Sequence, residues 1–187
     1  SEEGINMTTN LLIAGFGGQG VMTIGKMIGE CAFVQNLNVT FLPSYGPEQR
    51  GGTANCTVVL SDEPVGSPAA ESLDVLCVLN QPSLDKFLPI LKPNGTLMVN
   101  SDMVDVSGIT RTDIRLIEIP ADSMALEIGS TKTANVIIFA VYMAVAKIVP
   151  IDRAKEIALA KLAKKPQFMT MNNIAFDRGV ELAKADV

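Results

Sequence analysis

The sequence predicts an α/β fold in three layers, with a mainly parallel sheet and helices on both faces. Short, continuously apolar runs alternate with longer stretches of helical periodicity, and continuous apolar runs are the mark of strands buried on both sides. In addition, Gly15-x-Gly17-x-x-Gly20 stands between the first apolar run and the first helical stretch, the context in which such a glycine loop forms a strand-to-helix turn.

Taken in order, residues 10–15 read as the first strand and the stretch through about 35 as the first helix. Residues 37–42 read as a second strand. Ser44-Tyr-Gly-Pro-Glu-Gln-Arg-Gly-Gly52 is too rich in Gly and Pro for either regular state and is expected as a loop. Residues 55–60 form the next strand, 61–68 a turn-rich link, and 74–79 another strand. A helix is predicted over 83–91 with Ser83 as N-cap, stopped by Lys92-Pro-Asn-Gly95. Strands follow at 96–100 and 115–119. Four helices close the chain: a short one from 121, then 133–148, 152–164 and a last one through 183. Residues 1–9 read as an N-terminal extension, with Met7 a candidate start, and 10–187 as a single domain, as the length of 187 residues allows.

Composition removes several function classes. A net charge of −5 argues against nucleic acid, which needs a basic face to neutralise phosphates. The longest apolar run, 136–146, is far short of the roughly 20 residues that span a bilayer, and no signal peptide is evident. Histidine is absent, which removes the commonest general base and most transition-metal sites. Cys31, Cys56 and Cys77 lie far apart among apolar neighbours, with no Cys-x-x-Cys pair. Zinc and iron–sulfur ligation are therefore unsupported, and unpaired thiols fit a cytoplasmic setting. Apolar residues make up 48% and charged ones 19% of the chain, so the surplus belongs either to a generous core or to a wide subunit interface. The same choice holds for the helix over 136–146, which is apolar all round.

The glycine loop by itself leaves three readings open: a bare turn, a phosphate-binding turn, or a full dinucleotide site. The dinucleotide reading lacks its acidic residue, because the second strand ends Phe41-Leu-Pro-Ser44 with no carboxylate until Glu48. Gly20-Val-Met-Thr-Ile-Gly25-Lys26 imitates a P-loop, but Met27 stands where the magnesium-binding hydroxyl is needed. Gly25 and Gly29 share one helical face and are expected to permit close packing. Arg50, flanked by Gly51 and Gly52, either meets a carboxylate or phosphate or pairs internally with Glu48. Asn135 lies at a helix start behind Thr133, where capping competes with ligand contact. Lys161, Lys164 and Lys165 read as a solvated face complementing a helix dipole, with partner docking the alternative.

Two motifs in order, Gly15-Phe-Gly-Gly-Gln-Gly-Val21 and Ser44-Tyr-Gly-Pro-Glu-Gln-Arg-Gly-Gly-Thr-Ala-Asn55, resemble the gamma subunit of 2-oxoacid:ferredoxin oxidoreductases. The likeness continues through Ser61-Asp-Glu-Pro64, residues 74–80 and Asn135. Its Ser-Tyr-Gly-Pro form is similar to members acting on 2-oxoglutarate or branched-chain 2-oxoacids. The resemblance implies a Rossmann-like domain within a hetero-oligomer that converts a 2-oxoacid, CoA and oxidised ferredoxin to acyl-CoA, CO2 and reduced ferredoxin. It implies thiamine diphosphate with magnesium, and iron–sulfur clusters, on other subunits: alpha, beta and a ferredoxin-like delta subunit or domain. No catalytic or metal-ligating residue is assigned to this chain. The binding residues it implies are Gly15, Gly17, Gly18, Gln19 and Gly20, then Ser44, Tyr45, Glu48, Arg50, Gly51 and Gly52, and Asn135, with CoA as the cosubstrate they would contact. The alternative is a stand-alone module binding CoA or a nucleotide at the glycine loop.

Overall fold

The computed structural model describes residues 8–46, 52–65 and 71–185. Six strands form one sheet: β1 (Thr8–Phe16), β2 (Asn38–Tyr45), β3 (Thr53–Ser61), β4 (Leu73–Val78), β5 (Leu91–Asn100) and β6 (Arg115–Ile119). Their order is β2-β3-β1-β4-β5-β6. β1, β4, β5 and β6 are parallel, while β3 runs antiparallel to both of its neighbours, β1 and β2. The mainly parallel sheet is therefore present, with one reversed strand inside it. The reversal follows from sequence: too few residues separate β2 from β3 for a crossover, so the two return as a hairpin. That hairpin displaces β2 to the sheet edge and seats β3 beside β1.

Alternation along β1 divides the core. Leu11 and Ile13 point to one face, and Leu12 and Ala14 to the other. The first face carries α1 (Val21–Val34), α3 (Ala121–Ile128), α4 (Ala134–Ala146), α5 (Ile151–Leu162) and α6 (Met169–Ala185). Every residue from Val136 to Met143 is buried, because α4 packs against α1, α3, α5 and α6 as well as the shared core. The chain itself covers the all-apolar helix. Close approach makes this possible: a side chain on Gly179 of α6 would lie 2.6 Å from the Ile137 carbonyl oxygen and 2.7 Å from Ala140 Cβ. Gly25 and Gly29 of α1 likewise face the sheet, toward Cys56 and Val39. The opposite face has one short helix, α2 (Gln81–Phe87), a 3₁₀ turn (Leu88–Ile90) and the segment after β5.

Local expectations are corrected in four places. The N-cap of α2 is Asn80, whose Oδ1 accepts the Ser83 N–H at 2.9 Å, so Ser83 is the capped residue and the helix starts earlier. Lys92-Pro-Asn-Gly95 lies inside β5, where Asn94 has φ 66° and the register against β4 shifts. The predicted stop is thus an irregular strand start. Ser44 and Tyr45 belong to β2 and not to a loop. Thr133 occupies the cap position of α4, but its hydroxyl donates to the Ser130 carbonyl and caps nothing.

Candidate functional site

The chain leaves β1 through α1 on one face and leaves β4 through α2 on the other. The crevice beyond the carboxyl ends of β1 and β4 is therefore the topological switch point, where open α/β sheets receive ligands. The glycine loop occupies it. Gly18 and Gly20 have φ of 88° and 82°, and Gly20 is the N-cap of α1 with no side chain bonding the first-turn amides. Those amides and the helix dipole favour an anion. A side chain on Gly20 would also sit 2.8 Å from Asn135 Cβ, so glycine is what lets the start of α4 meet the start of α1.

The glycine loop is held by one amide side chain. Gln19 Oε1 accepts the Phe16 N–H at 2.6 Å, and Gln19 Nε2 donates to the Leu79 carbonyl at 3.1 Å. The side chain thereby ties β1 to the exit of β4 and is spent on the fold, so its role is to shape the loop. Asn135 is the opposite case: its Oδ1 is buried without a hydrogen-bond partner. A bare buried acceptor is costly unless a ligand or water supplies a donor.

Gly18, Gln19, Gly20 and Asn135 line one cavity of about 360 Å³, together with Asn100, Asp122, Lys132 and Lys165. A second cavity of about 370 Å³ shares Lys132, Asn135 and Lys165 and adds Lys26, Lys161 and Lys164. Lys161 is paired with Glu30 at 2.8 Å, and Lys132 lies 5.7 Å from the centre of the Phe168 ring. The lysine group read from sequence as a solvated helix face thus rims a cavity next to the glycine loop. In a chain of net charge −5 this is a local basic cup.

The hairpin brings the two sequence motifs to one end of the sheet. Gly17 N–H donates to the Gly52 carbonyl at 2.9 Å, and Phe16 pairs with Thr53. Tyr45 is opposite Ala54, which is opposite Gly15, so Tyr45 stands two strand spacings, about 10 Å, from the glycine loop. Ser44 and Tyr45 are exposed on the edge strand, and Tyr45 is 71% exposed. Gly15 is buried within β1. Glu48, Arg50 and Gly51, with any Glu48–Arg50 contact, lie outside the described residues.

Sequence reading missed Lys132, Asn100 and Asp122, and singled out Lys165 only as part of a solvated lysine face. Nothing along the chain ties 122, 132 and 165 to residue 20, because tertiary packing of α3, α4 and α6 brings them there. The three cysteines are buried and free. Burial pushes each thiol up to about 12, and Cys56 donates its S–H to the Val21 carbonyl at 3.6 Å. They are inert packing groups at neutral pH. Among the described residues, no group of three or more His, Cys, Asp and Glu side chains could hold a metal ion. No helix among them is long and apolar enough to cross a membrane.

Residues 10–182 match the family described as pyruvate ferredoxin/flavodoxin oxidoreductase. The 2-oxoglutarate synthase subunit KorC of Methanocaldococcus jannaschii is 31% identical over 182 residues, covering 96% of each chain. The ketoisovalerate oxidoreductase subunit VorA of Methanothermobacter thermautotrophicus is 37% identical over 177 residues, covering 94% of this chain and 36% of that one. This chain therefore spans 27–36% of the length of the VorA relatives it matches and nearly all of the KorC ones. Among solved structures, the gamma subunit of a keto/oxoacid ferredoxin oxidoreductase from Geobacter sulfurreducens superposes with a TM-score of 0.78 at 27% identity, covering 95% of this chain and 99% of that one.

Proposed function

The chain belongs to the pyruvate ferredoxin/flavodoxin oxidoreductase family, and from that premise we propose that it is the gamma subunit of a cytoplasmic, hetero-oligomeric 2-oxoacid:ferredoxin oxidoreductase. The reaction is oxidative decarboxylation of a 2-oxoacid with CoA, giving acyl-CoA, CO2 and reduced ferredoxin. Residues 10–187 act as one domain that borders the active site. Thiamine diphosphate, magnesium and iron–sulfur clusters belong to alpha, beta and ferredoxin-like partners. Histidine is absent and the three thiols are buried apart, so this chain offers no donor set for a cluster.

The observation that carries the proposal is the meeting of Gly18, Gly20, Asn135, Lys132 and Lys165 around one cavity at the switch point. These groups are donors, apart from the bare Asn135 oxygen, and they suit the phosphates of CoA. A dinucleotide is disfavoured on geometry as well as sequence. In the doubly wound order β2 neighbours β1 and brings its terminal acid to the ribose, whereas here β3 stands between them.

The test is anaerobic affinity isolation of the tagged chain from its native host, followed by an assay of viologen reduction with a panel of 2-oxoacids. The expected result is co-purification of thiamine- and cluster-bearing subunits, with reduction that depends on CoA. A chain recovered alone and inactive, under conditions that preserve a related complex, would contradict the reading and favour a stand-alone binding module.

A further inference from the structure

One wall of the glycine-loop cavity is acidic. Asp122, in the first turn of α3, lines it with Lys132 and Lys165 but forms no ion pair with either. Its carboxylate is held by another residue of the same lining. Asn100, at the end of β5 and 4% exposed, donates from Nδ2 to Asp122 Oδ2 at 3.1 Å. The Asn100 amide is oriented in turn, because its Oδ1 accepts the Asp102 N–H at 3.3 Å. Asp122 Oδ1 takes no hydrogen bond among the described residues. A fixed carboxylate with one oxygen unused, in a cavity whose other polar groups are mostly amides and lysines and whose remaining lining includes Leu79, Ala134 and Ile138, is a specific acceptor placed beside the glycine loop.

A bare polyphosphate filling this cavity would meet Asp122 as a like charge. A phosphate ester whose organic arm carries a hydroxyl or amide N–H would instead satisfy it with a charge-assisted hydrogen bond. We propose that Asp122 is a specificity-determining residue of the crevice: it accepts a hydrogen bond from a hydroxyl or amide N–H on the organic arm of the bound phosphate ester and rejects bare polyphosphate. Asn100 is its positioning residue. The inference rests on the reading above that phosphates occupy the crevice. CoA meets the requirement through the hydroxyls and amides of its ribose and pantetheine portions.

The test uses the assembled enzyme, wild type and with Asp122→Asn or Asp122→Ala, and reads the KM for CoA and the inhibition constant of inorganic pyrophosphate as a competitor of CoA. Loss of the acceptor raises the CoA KM about tenfold or more in Asp122→Ala, with a smaller rise in Asp122→Asn, which keeps one acceptor. Pyrophosphate binds several-fold more tightly to both variants, because the like charge is gone. The KM for the 2-oxoacid stays unchanged. Opposite movement of the two ligands is the signature that a structural defect would not produce. An unchanged CoA KM, or joint weakening of CoA and pyrophosphate, would overturn the role of Asp122. If pyrophosphate fails to compete with CoA even in the wild-type enzyme, the phosphate reading of the crevice falls instead.

Discussion

The two faces of the sheet solve the same problem by different means. On the helix face, α1, α3, α4, α5 and α6 bury an almost wholly apolar layer, with Phe139 and Phe176 in tilted contact at its centre. On the other face, a thin layer around Leu84, Leu97 and Val99 is closed by a polar lacing. Gln81 exchanges hydrogen bonds with the backbone of Asp105, while Arg111 donates to the carbonyls of Leu88 and Leu91 and pairs with Asp113. The contrast teaches where the apolar surplus of the composition went. Much of it fills the chain's own helix layer, while exposed large apolar side chains remain on helices of that layer, at Phe33 and Val34 on α1, Leu126 on α3 and Ile174 on α6, and on the sheet at Leu42 and Tyr45 of β2 and Leu116 of β6, with Met103 after β5.

The contrast is sharpest in truncation energetics. Phe176→Ala is expected to cost about 3–5 kcal/mol, and Leu84→Ala on the thin face about 2–3 kcal/mol. Urea unfolding at constant m-value reads both, and a larger cost for Leu84→Ala would break the comparison. Gly179→Ala comes next, at about 1–3 kcal/mol, because the added methyl meets the Ile137 carbonyl across the α4–α6 contact. A neutral result there would mean that the two helices separate easily.

The faces also differ in pH response. Cys31, Cys56, Cys77 and Tyr142 all belong to the helix face, and burial raises each of them, the thiols to about 12 from an ordinary 9.0. A group raised on folding stabilises fully below its unfolded value and loses that contribution as pH climbs through the folded one. The melting temperature is therefore expected to hold up to about pH 9 and to fall between 9 and 12. Preserved stability at pH 11 would contradict the burial of these groups. The acid limb belongs to the polar lacing and is smaller. Ser107 holds Asp105, and the Arg111 guanidinium holds Asp113, below the usual carboxylate range. Their contribution is present above pH 3.8 and is lost as pH falls through the lowered values. Both carboxylates are exposed, so the loss is slight, and Arg111→Ala should abolish the Asp113 part in a melting series from pH 5 to 2.

Most of the fold was legible because it rests on local signals. Continuous apolar runs marked β1 and β4, glycines marked the start of α1, and the unbroken run over 136–146 marked α4. The reversal of β3 was not predicted, although the short link from β2 demanded it, because strand order is a tertiary property. Ser83 was expected as the cap, but Asn80, directly after the expected strand 74–79, accepts the Ser83 N–H instead. The site was legible only in its backbone. Gly18, Gln19, Gly20 and Asn135, named from sequence, line one cavity, and the Gln19 amide is also bonded to the backbone of Phe16 and Leu79. Lys132 and Asp122 carried no signal, and Lys165 read only as part of a solvated lysine face, since each is an ordinary helix-end charge until the helices are packed.

The most direct measurement on the central claim is the KM for CoA of the assembled enzyme carrying Lys132→Ala and Lys165→Ala together. Both lysines are exposed at the rim of the crevice, so folding and assembly should be retained. A rise of about tenfold or more in the CoA KM is expected, with the 2-oxoacid KM unchanged. An unchanged CoA KM in a correctly assembled double variant would place the phosphates elsewhere and contradict the account.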